Sequence, residues 1–165
     1  MRCSVGASGW DYRAPYAGSV EATLIAVQEQ VLMSGDYIWP WDDIDPDDYL
    51  DEVEIVPRPS SLAELAAAKE IAEFWEEGTH TILDVDRVHA AGDDQVGAIF
   101  PLSPAELNRV FGTQQPSAAD FDRVYQPGPD GPLGRLTGER WSGRSMVIYE
   151  DGTPAEVYFW GFSGD

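Results

Sequence analysis

Residues 36–54, which read DYIWPWDDIDPDDYLDEVE, carry the side chains with the clearest chemical character in this chain. This acidic segment holds nine carboxylates, four aromatic side chains and no basic residue. Dense carboxylates attract a positively charged protein surface or a metal ion, and rigid aromatic side chains anchor protein interfaces. The acidic segment therefore predicts a partner-binding surface. Its predicted residues are Tyr37, Trp39, Trp41, Asp42, Asp43, Asp45, Asp47, Asp48, Tyr49, Asp51 and Glu52.

The two tryptophans of the acidic segment allow two interpretations. In the first, Trp39 and Trp41 are exposed anchors ringed by charge, and Pro40 restrains the backbone between them. In the second, both indoles belong to the core and the carboxylates form an ordinary solvated loop. Two indoles this close to so much charge are difficult to bury together, and both interpretations stay open.

An EF-hand calcium loop is matched in part by the same carboxylates. Five of them fall at ligand positions of such a loop, namely Asp43, Asp45, Asp47, Asp51 and Glu54. The match fails at Asp48, which takes the position that needs glycine for the sharp turn, and at Pro46. Pro57 also comes too soon for an exiting helix. We therefore predict no metal site and no cofactor.

A second group of chemically capable side chains lies in residues 80–89. If residues 80–86 form a strand, His80, Asp84 and Asp86 share one face, because side chains alternate along a strand. That face suits a metal site or a His–Asp acid–base pair. The structural alternative is that Arg87 pairs with one of the aspartates, and the sequence alone does not show whether the three side chains form a pocket.

Residues 126–143 form the longest irregular stretch and contain the one concentration of basic side chains. Arg135 and Arg140 lie in it, and Arg144 follows directly. These arginines suit an anionic ligand or a contact with the acidic segment, whereas the alternative is a mobile surface loop. Whether this loop binds an anionic ligand stays open.

The chain carries no established catalytic signature. It has no G-x-S-x-G elbow, no phosphate-binding loop and no dinucleotide fingerprint. Cys3 is the single cysteine, so an intramolecular disulfide is impossible and a reducing compartment is expected. The N-terminal residues lack the apolar region of a signal peptide, and no apolar run is long enough to span a membrane. We expect a soluble, cytoplasmic protein without membrane contact.

Composition indicates a folded protein with a strong negative charge. Nineteen aromatic side chains in 165 residues supply the apolar area that disordered acidic tails lack. Thirty acidic residues against ten basic ones give a formal net charge of -20. Such a charge repels nucleic acid and anionic membranes, and it accelerates encounter with basic proteins.

Capping and periodicity predict the elements that position these side chains. The predicted helices begin at Ser19, at Ser61 in a capping box with Glu64, at Ser103 and at Ser117. The second of them is expected to continue through Trp75 to Gly78. Predicted strands cover residues 2–12, 80–86, 96–100 and a C-terminal hairpin over 144–161, turning at Asp151–Gly152.

Both faces of the predicted hairpin are apolar, which places its strands in a sheet that is covered on two sides. Residues 53–59 form an edge strand or an extended connector, because their prolines cannot donate to a ladder. The sequence thus predicts one α+β domain over residues 1–165. It has an antiparallel or mixed sheet of about five to six strands and about four helices packed against it.

Two short stretches resemble local signatures that a family would keep, although they match no named family. They are GTHTILD at residues 78–84 and FWGFSGD at residues 159–165.

These observations predict a small acidic cytosolic binding protein that captures a basic protein partner. The sharpest form of the hypothesis is a bacterial immunity protein or antitoxin that inhibits a toxin enzyme, because carboxylates mimic the charge of a phosphate substrate. The alternative is a small enzyme, or a metal- or ligand-binding protein, that uses His80, Asp84 and Asp86.

Overall fold

A five-stranded mixed sheet forms the centre of the computed structural model, which describes residues 8–45, 47, 54–89 and 96–164. The strands lie in the order β1-β5-β4-β3-β2. β1 and β4 both pair antiparallel with β5, whereas β3 pairs parallel with β4 and with β2. The strands are β1 (Gly9–Pro15), β2 (Arg87–Val88), β3 (Ala98–Pro101), β4 (Ser142–Glu150) and β5 (Thr153–Phe162). The predicted α+β fold with a mixed sheet is confirmed.

Four of the α-helices in the described part of the chain begin at the predicted capping residues, and a fifth, short helix begins at Phe74 without a side-chain cap. Ser19 Oγ accepts the N–H of Ala22, and Ser103 and Ser117 each form a complete capping box. The α-helices are α1 (Val20–Ser34), α2 (Leu62–Ala68), α3 (Phe74–Glu77), α4 (Pro104–Phe111) and α5 (Ala118–Val124). Two short 3-10 helices cover Ile82–Asp84 and Gly134–Leu136. None of the helices in the described ranges has the length and apolar character that crossing a membrane requires.

The sheet separates two hydrophobic clusters. On one face, α1, α2 and the aromatic side chains of the acidic segment pack against side chains such as Val157 and Phe159 of β5. On the other face, α4, α5 and the loop before β4 pack against Tyr158 and Trp160 of the same strand. Alternate residues of β5 therefore enter opposite clusters, which confirms the predicted sheet with two covered faces.

The C-terminal hairpin turns at the predicted dipeptide. Asp151 and Gly152 have φ values of 50° and 75°, and two consecutive positive values are typical of a type I′ turn. Such a turn follows the right-handed twist of the strands that it joins. The turn sets the pairing of Glu150 with Thr153, and an irregularity between Ile148 and Tyr149 shifts the register of the remaining residues.

The predicted second helix is wrong in its length. It breaks after Ala68, and Lys69 turns inward with 8% of its surface exposed. The Lys69 carbonyl accepts the indole N–H of Trp75 at 2.8 Å, so it does not continue the helical hydrogen-bond pattern. Glu64 bonds the N–H and hydroxyl of Ser60, at 2.6 and 2.9 Å, and therefore closes the first turn one residue earlier than predicted.

The predicted strand over residues 80–86 is also wrong. The hydroxyl of Thr81 accepts the N–H of Leu83 and starts the 3-10 helix Ile82–Asp84, so the alternation of a strand does not apply. Residues 54–59 form no strand, which leaves the extended connector of the two predicted alternatives. The first strand runs over Gly9–Pro15 rather than residues 2–12, of which residues 2–7 lie outside the described ranges.

Candidate functional site

The described part of the acidic segment presents its carboxylates to solvent. Asp43, Asp45 and Asp47 are exposed, and they take part in none of the ion pairs found among the described residues. The Asp45 carboxylate accepts the N–H of Asp47 at 3.0 Å. The predicted residues Asp48, Tyr49, Asp51 and Glu52 lie outside the described residues.

Both tryptophans of the acidic segment are buried. Trp39 is 2% exposed and Trp41 is 3% exposed, and their ring centroids lie 5.2 Å apart. The Trp39 indole N–H donates to the Val56 carbonyl at 2.8 Å and its ring meets Phe74 edge to face. The expectation that two indoles beside so much charge are difficult to bury together is therefore wrong. The described carboxylates of the segment are exposed, namely Asp36, Asp42, Asp43, Asp45, Asp47 and Glu54.

The three described aromatic side chains of the acidic segment belong to the core instead of projecting from the surface. Tyr37 is buried as well, at 9% exposure. The exposed apolar side chains nearby in sequence are Ile38, at 41%, and Ile55, at 43%. The surface available to a partner is thus carboxylate with some aliphatic area, and it does not include the two indoles.

Arg58 ties the start of the acidic segment to the connector that follows it. Its guanidinium donates to the Asp42 carboxylate and to the carbonyls of Gly35 and Tyr37, with the last two contacts at 3.0 and 3.2 Å. The guanidinium carbon also lies 4.7 Å from the centre of the Tyr37 ring. The hydrogen bond with Asp42 raises the pKa of Arg58. Asp42 is therefore occupied within the molecule, in contrast to Asp43.

The three side chains of the alternative site have different surroundings. Asp84 is fully buried, and its carboxylate accepts the Thr79 N–H and hydroxyl, each at 2.7 Å, and the Ser163 hydroxyl at 2.8 Å. Burial raises the pKa of Asp84, although these hydrogen bonds oppose the shift. Asp86 is paired with the buried Lys69 instead. The Asp84 carboxylate is thus occupied by protein hydrogen-bond donors, and the Asp86 carboxylate is occupied by the Lys69 ammonium group.

The contacts of His80 differ from those of Asp84 and Asp86. Its Nδ1 is 3.3 Å from the Ser8 hydroxyl, and its φ of 58° turns the backbone away from a strand. His80 lines a shallow surface depression that neither Asp84 nor Asp86 enters. Within the described ranges, no three His, Cys, Asp or Glu side chains are grouped to hold a metal ion.

The arginines around the loop of residues 126–143 include one that serves packing. Arg144 donates to the carbonyls of Phe100 and Leu136 and to Glu106, at 3.0, 2.7 and 2.6 Å. Burial alone would raise the pKa of Glu106, but the hydrogen bonds from Arg144 and from the Ser103 N–H lower it. Arg144 therefore holds the loop against the sheet, and its donors are directed at protein acceptors instead of an anion.

A cavity that the sequence analysis did not identify lies at the edge of the sheet, beside Asp11 of β1. This Asp11 cavity has a volume of about 340 Å³. The Asp11 carboxylate accepts the hydroxyl of Tyr125 at 2.8 Å and the hydroxyl of Tyr158 at 3.0 Å. The rings of Tyr158 and Trp160 stack with centroids 5.1 Å apart and form an aromatic wall.

The alternation of side chains along β1 and β5 is the feature of the sequence that could have indicated this cavity. Asp11 alternates with Trp10 and Tyr12 on β1, and Tyr158 alternates with Phe159 on β5. Since β1 pairs with β5, the polar member of one strand lies on the same face as the aromatic members of the other. Only the pairing of β1 with β5 brings these side chains together, and Asp11 and Tyr158 are 147 positions apart in the sequence.

The two tyrosines of the cavity act as hydrogen-bond donors. Burial and the negative charge of Asp11 raise the pKa of Tyr158, and the hydrogen bond to Asp11 raises the pKa of Tyr125. Both hydroxyls therefore keep their protons at neutral pH and point them at the carboxylate. This arrangement fixes the carboxylate in place, and it does not generate a phenolate nucleophile or base.

Comparison with known proteins adds no further constraint on this site. The chain matches no family model, no curated protein and no solved structure at a significant level.

Proposed function

We propose that this protein captures a basic protein partner through the exposed carboxylates of the acidic segment. The observation that supports the proposal is the exposure of Asp43, Asp45 and Asp47, which enter no ion pair among the described residues. The backbone that precedes them is held in place, because the side chains of Trp39 and Trp41 are buried in the core. A charged surface on a fixed base loses little conformational entropy when a partner binds.

The charge of the whole chain supports the same proposal. At a formal net charge of -20 the field of the protein attracts basic surfaces over roughly a Debye length, about 8–10 Å at moderate salt. Steering of this kind raises association rates by about 10-fold to 1,000-fold at low ionic strength. The acidic segment then supplies the local contact after encounter.

The sharpest form of the proposal is an immunity protein or antitoxin that covers the active site of a toxin enzyme. Enzymes that act on nucleic acids or nucleotides carry basic groups to attract phosphate, and a row of carboxylates offers such a site the charge of its substrate. The alternative of an enzyme that uses His80, Asp84 and Asp86 lacks comparable support. Asp84 is enclosed by donors and Asp86 is paired with Lys69.

Association kinetics test the role of the carboxylates. The partner is recovered from a lysate of the native host at low salt, identified and purified, and its binding to immobilised protein is measured at low and high ionic strength. The test variant is Asp43→Asn/Asp45→Asn/Asp47→Asn, in which the amide at position 45 keeps an oxygen that can accept the backbone N–H of residue 47. We expect its association rate to fall about 10-fold at low salt, with a weaker salt dependence.

The matched control removes three exposed carboxylates elsewhere, as Glu29→Gln/Asp130→Asn/Glu150→Gln. It makes the net charge of the chain less negative by the same amount as the test variant does. Steering by the whole chain therefore predicts the same small loss of association rate in both variants. A loss confined to the Asp43/Asp45/Asp47 variant supports the proposed surface, and equal losses contradict it. If the partner is a toxin, co-expression of the wild type restores growth and co-expression of the triple variant does not.

A further inference from the structure

The Asp11 carboxylate has no cationic partner within the described part of the chain. No Arg, Lys or His nitrogen of those residues forms an ion pair with it. Both tyrosine hydroxyls donate to the same oxygen, Oδ2. Oδ1 therefore keeps its acceptor capacity, because an ionised carboxylate has about four lone-pair sites. A carboxylate held this firmly at the edge of an aromatic cavity has a defined direction in which it can accept a donor.

The same face of the sheet already binds one organic cation, the guanidinium group of Arg13. Arg13 lies two residues along β1, and its guanidinium donates to Glu156 at 2.6 Å and to Asp122 at 3.2 Å. The guanidinium carbon lies 5.0 Å from the centre of the Phe121 ring. Carboxylates and an aromatic ring thus hold one guanidinium by charge and by cation–π attraction.

The Asp11 cavity repeats these two elements of recognition. Tyr158 and Trp160 supply aromatic rings that line the cavity, and Asp11 supplies the carboxylate. At about 340 Å³ the cavity accommodates a group of the size of an arginine or lysine side chain. Residues of the loop from Gln126 to Thr137 line the cavity together with Asp11, which is itself exposed to solvent.

The loop that forms the outer wall is preformed. A Cβ built on Gly134 would collide with the Gly128 carbonyl and with Pro129, so the two passes of the loop lie in direct backbone contact. The indole N–H of Trp160 donates to the Leu133 carbonyl at 3.0 Å and ties this loop to the sheet. A wall held in this way needs little ordering when a ligand enters.

We propose that the Asp11 cavity binds one organic cation, a guanidinium or alkylammonium group, through the Asp11 carboxylate and the rings of Tyr158 and Trp160. The site lies on the face of the sheet opposite Trp39 and Trp41, so it is independent of the partner surface proposed above. The cation comes either from a small free molecule or from a basic side chain of another protein. The chemistry of recognition is the same in both cases.

Titration with a matched pair of small molecules tests the site. Butylguanidinium carries the cation, and butylurea is a neutral compound of nearly the same shape. Binding is followed by calorimetry and by the NMR signal of the Trp160 indole N–H, which lies beside the cavity. We expect saturable binding of butylguanidinium below about 10 mM with a shift of this signal, and at least about tenfold weaker binding of butylurea.

Substitutions connect the binding to the proposed atoms. Asp11→Asn removes the charge and should weaken butylguanidinium binding about tenfold or more. Asp122→Asn is the matched control, because it removes a carboxylate from the same face that already contacts Arg13. Tyr158→Phe keeps the ring but removes one donor to Asp11, so it should weaken binding less than Asp11→Asn does. Circular dichroism and melting curves verify that each variant folds.

The outcomes separate the proposal from its alternatives. Absence of saturable binding up to about 10 mM in the folded wild type, equal binding of butylurea, or equal weakening by Asp11→Asn and Asp122→Asn overturns it. A capped Gly-Arg-Gly peptide identifies the source of the cation. Binding of the peptide about tenfold tighter than butylguanidinium indicates a protein side chain, and weaker binding of the peptide indicates a small free cation.

Discussion

The hydroxyl of Ser163 donates a hydrogen bond of 2.8 Å to the buried carboxylate of Asp84, which lies 79 positions earlier in the chain. This contact joins the two stretches that resemble local signatures, residues 78–84 and residues 159–165. Thr79 completes the set by donating its N–H and its hydroxyl to the same carboxylate. Thr79, Asp84 and Ser163, which lie in these two stretches, thus form a buried hydrogen-bond network next to the end of β5.

Removing the Asp84 acceptor should destabilise the fold. In Asp84→Ala the N–H and hydroxyl of Thr79 lose their acceptor inside the core, which costs about 3 kcal/mol in the free energy of unfolding. In Asp84→Asn the amide oxygen still accepts from Thr79 and the amide N–H can donate to the Ser163 hydroxyl, so the cost is much smaller. Urea unfolding at neutral pH measures both variants, and an equal cost would contradict the role of the network.

The same residue should contribute to the pH dependence of stability. Burial raises the pKa of Asp84, so the folded state binds this proton more tightly than the unfolded state. Its contribution is complete below the ordinary pKa of aspartate, about 4, and is lost as the pH rises through the raised value. The wild type should therefore lose stability relative to Asp84→Asn as the pH increases from about 4.

Urea unfolding at a series of pH values measures this difference. The control is Asp130→Asn, which removes one exposed carboxylate in a surface loop and should differ from the wild type by a nearly constant amount. A difference between the wild type and Asp84→Asn that does not change in the expected direction with pH would show that Asp84 is ionised without cost.

Substitution of Trp39 should alter stability and leave partner capture intact. Trp39→Phe loses the hydrogen bond to the Val56 carbonyl and part of a buried ring, which costs about 1–3 kcal/mol. Ile38→Ser is the neighbouring control, since Ile38 is 41% exposed and should change stability by less than about 0.5 kcal/mol. If Trp39→Phe instead speeds dissociation of the partner without lowering the melting temperature, the indole is an interface anchor after all.

Local signals in the sequence determined much of the fold. Ser19, Ser103 and Ser117 cap helices because a side-chain oxygen next to unpaired N–H groups acts within one turn, and the neighbouring residues carry the whole signal. The same holds for Asp151–Gly152, whose positive φ values require only the two residues of the turn. Apolar residues on both faces of β4 and β5 correctly predict coverage on both faces.

Long-range contacts determined what the sequence did not predict. Lys69 leaves its helix because Asp86 and the Val85 carbonyl receive its ammonium group, and neither partner is near in sequence. Trp39 is buried because Val56 and Phe74 surround it. The Asp11 cavity depends on a strand pairing that joins distant parts of the chain. Each of these outcomes is a property of tertiary structure, which single-residue preferences do not contain.

Arg58 should stabilise the base of the acidic segment without contacting a partner. Arg58→Lys keeps the charge but loses the fork that reaches Asp42 and two carbonyls together, so it should cost about 1 kcal/mol, a small value because the pair is partly exposed. Arg135→Lys, an exposed loop arginine, is the control. A double-mutant cycle with Asp42→Asn measures the coupling, and zero coupling energy would contradict the assignment.

Close packing of Gly164 against Trp141 provides the last test. A Cβ built on Gly164 would overlap the Trp141 indole, whose ring meets Trp75 edge to face with centroids 5.1 Å apart. Gly164→Ala should therefore displace Trp141, alter the near-ultraviolet circular dichroism of the tryptophan pair and cost about 1–3 kcal/mol.

The matched control for this substitution is Gly9→Ala. A Cβ on Gly9 meets its nearest neighbour, the Phe162 ring, at 3.5 Å, which is ordinary van der Waals contact. Alanine at this position should therefore leave both the tryptophan signal and the melting temperature nearly unchanged. If Gly164→Ala behaves in the same way, the C-terminal backbone adapts to the extra methyl group, and the contact between Gly164 and Trp141 does not position the indole pair.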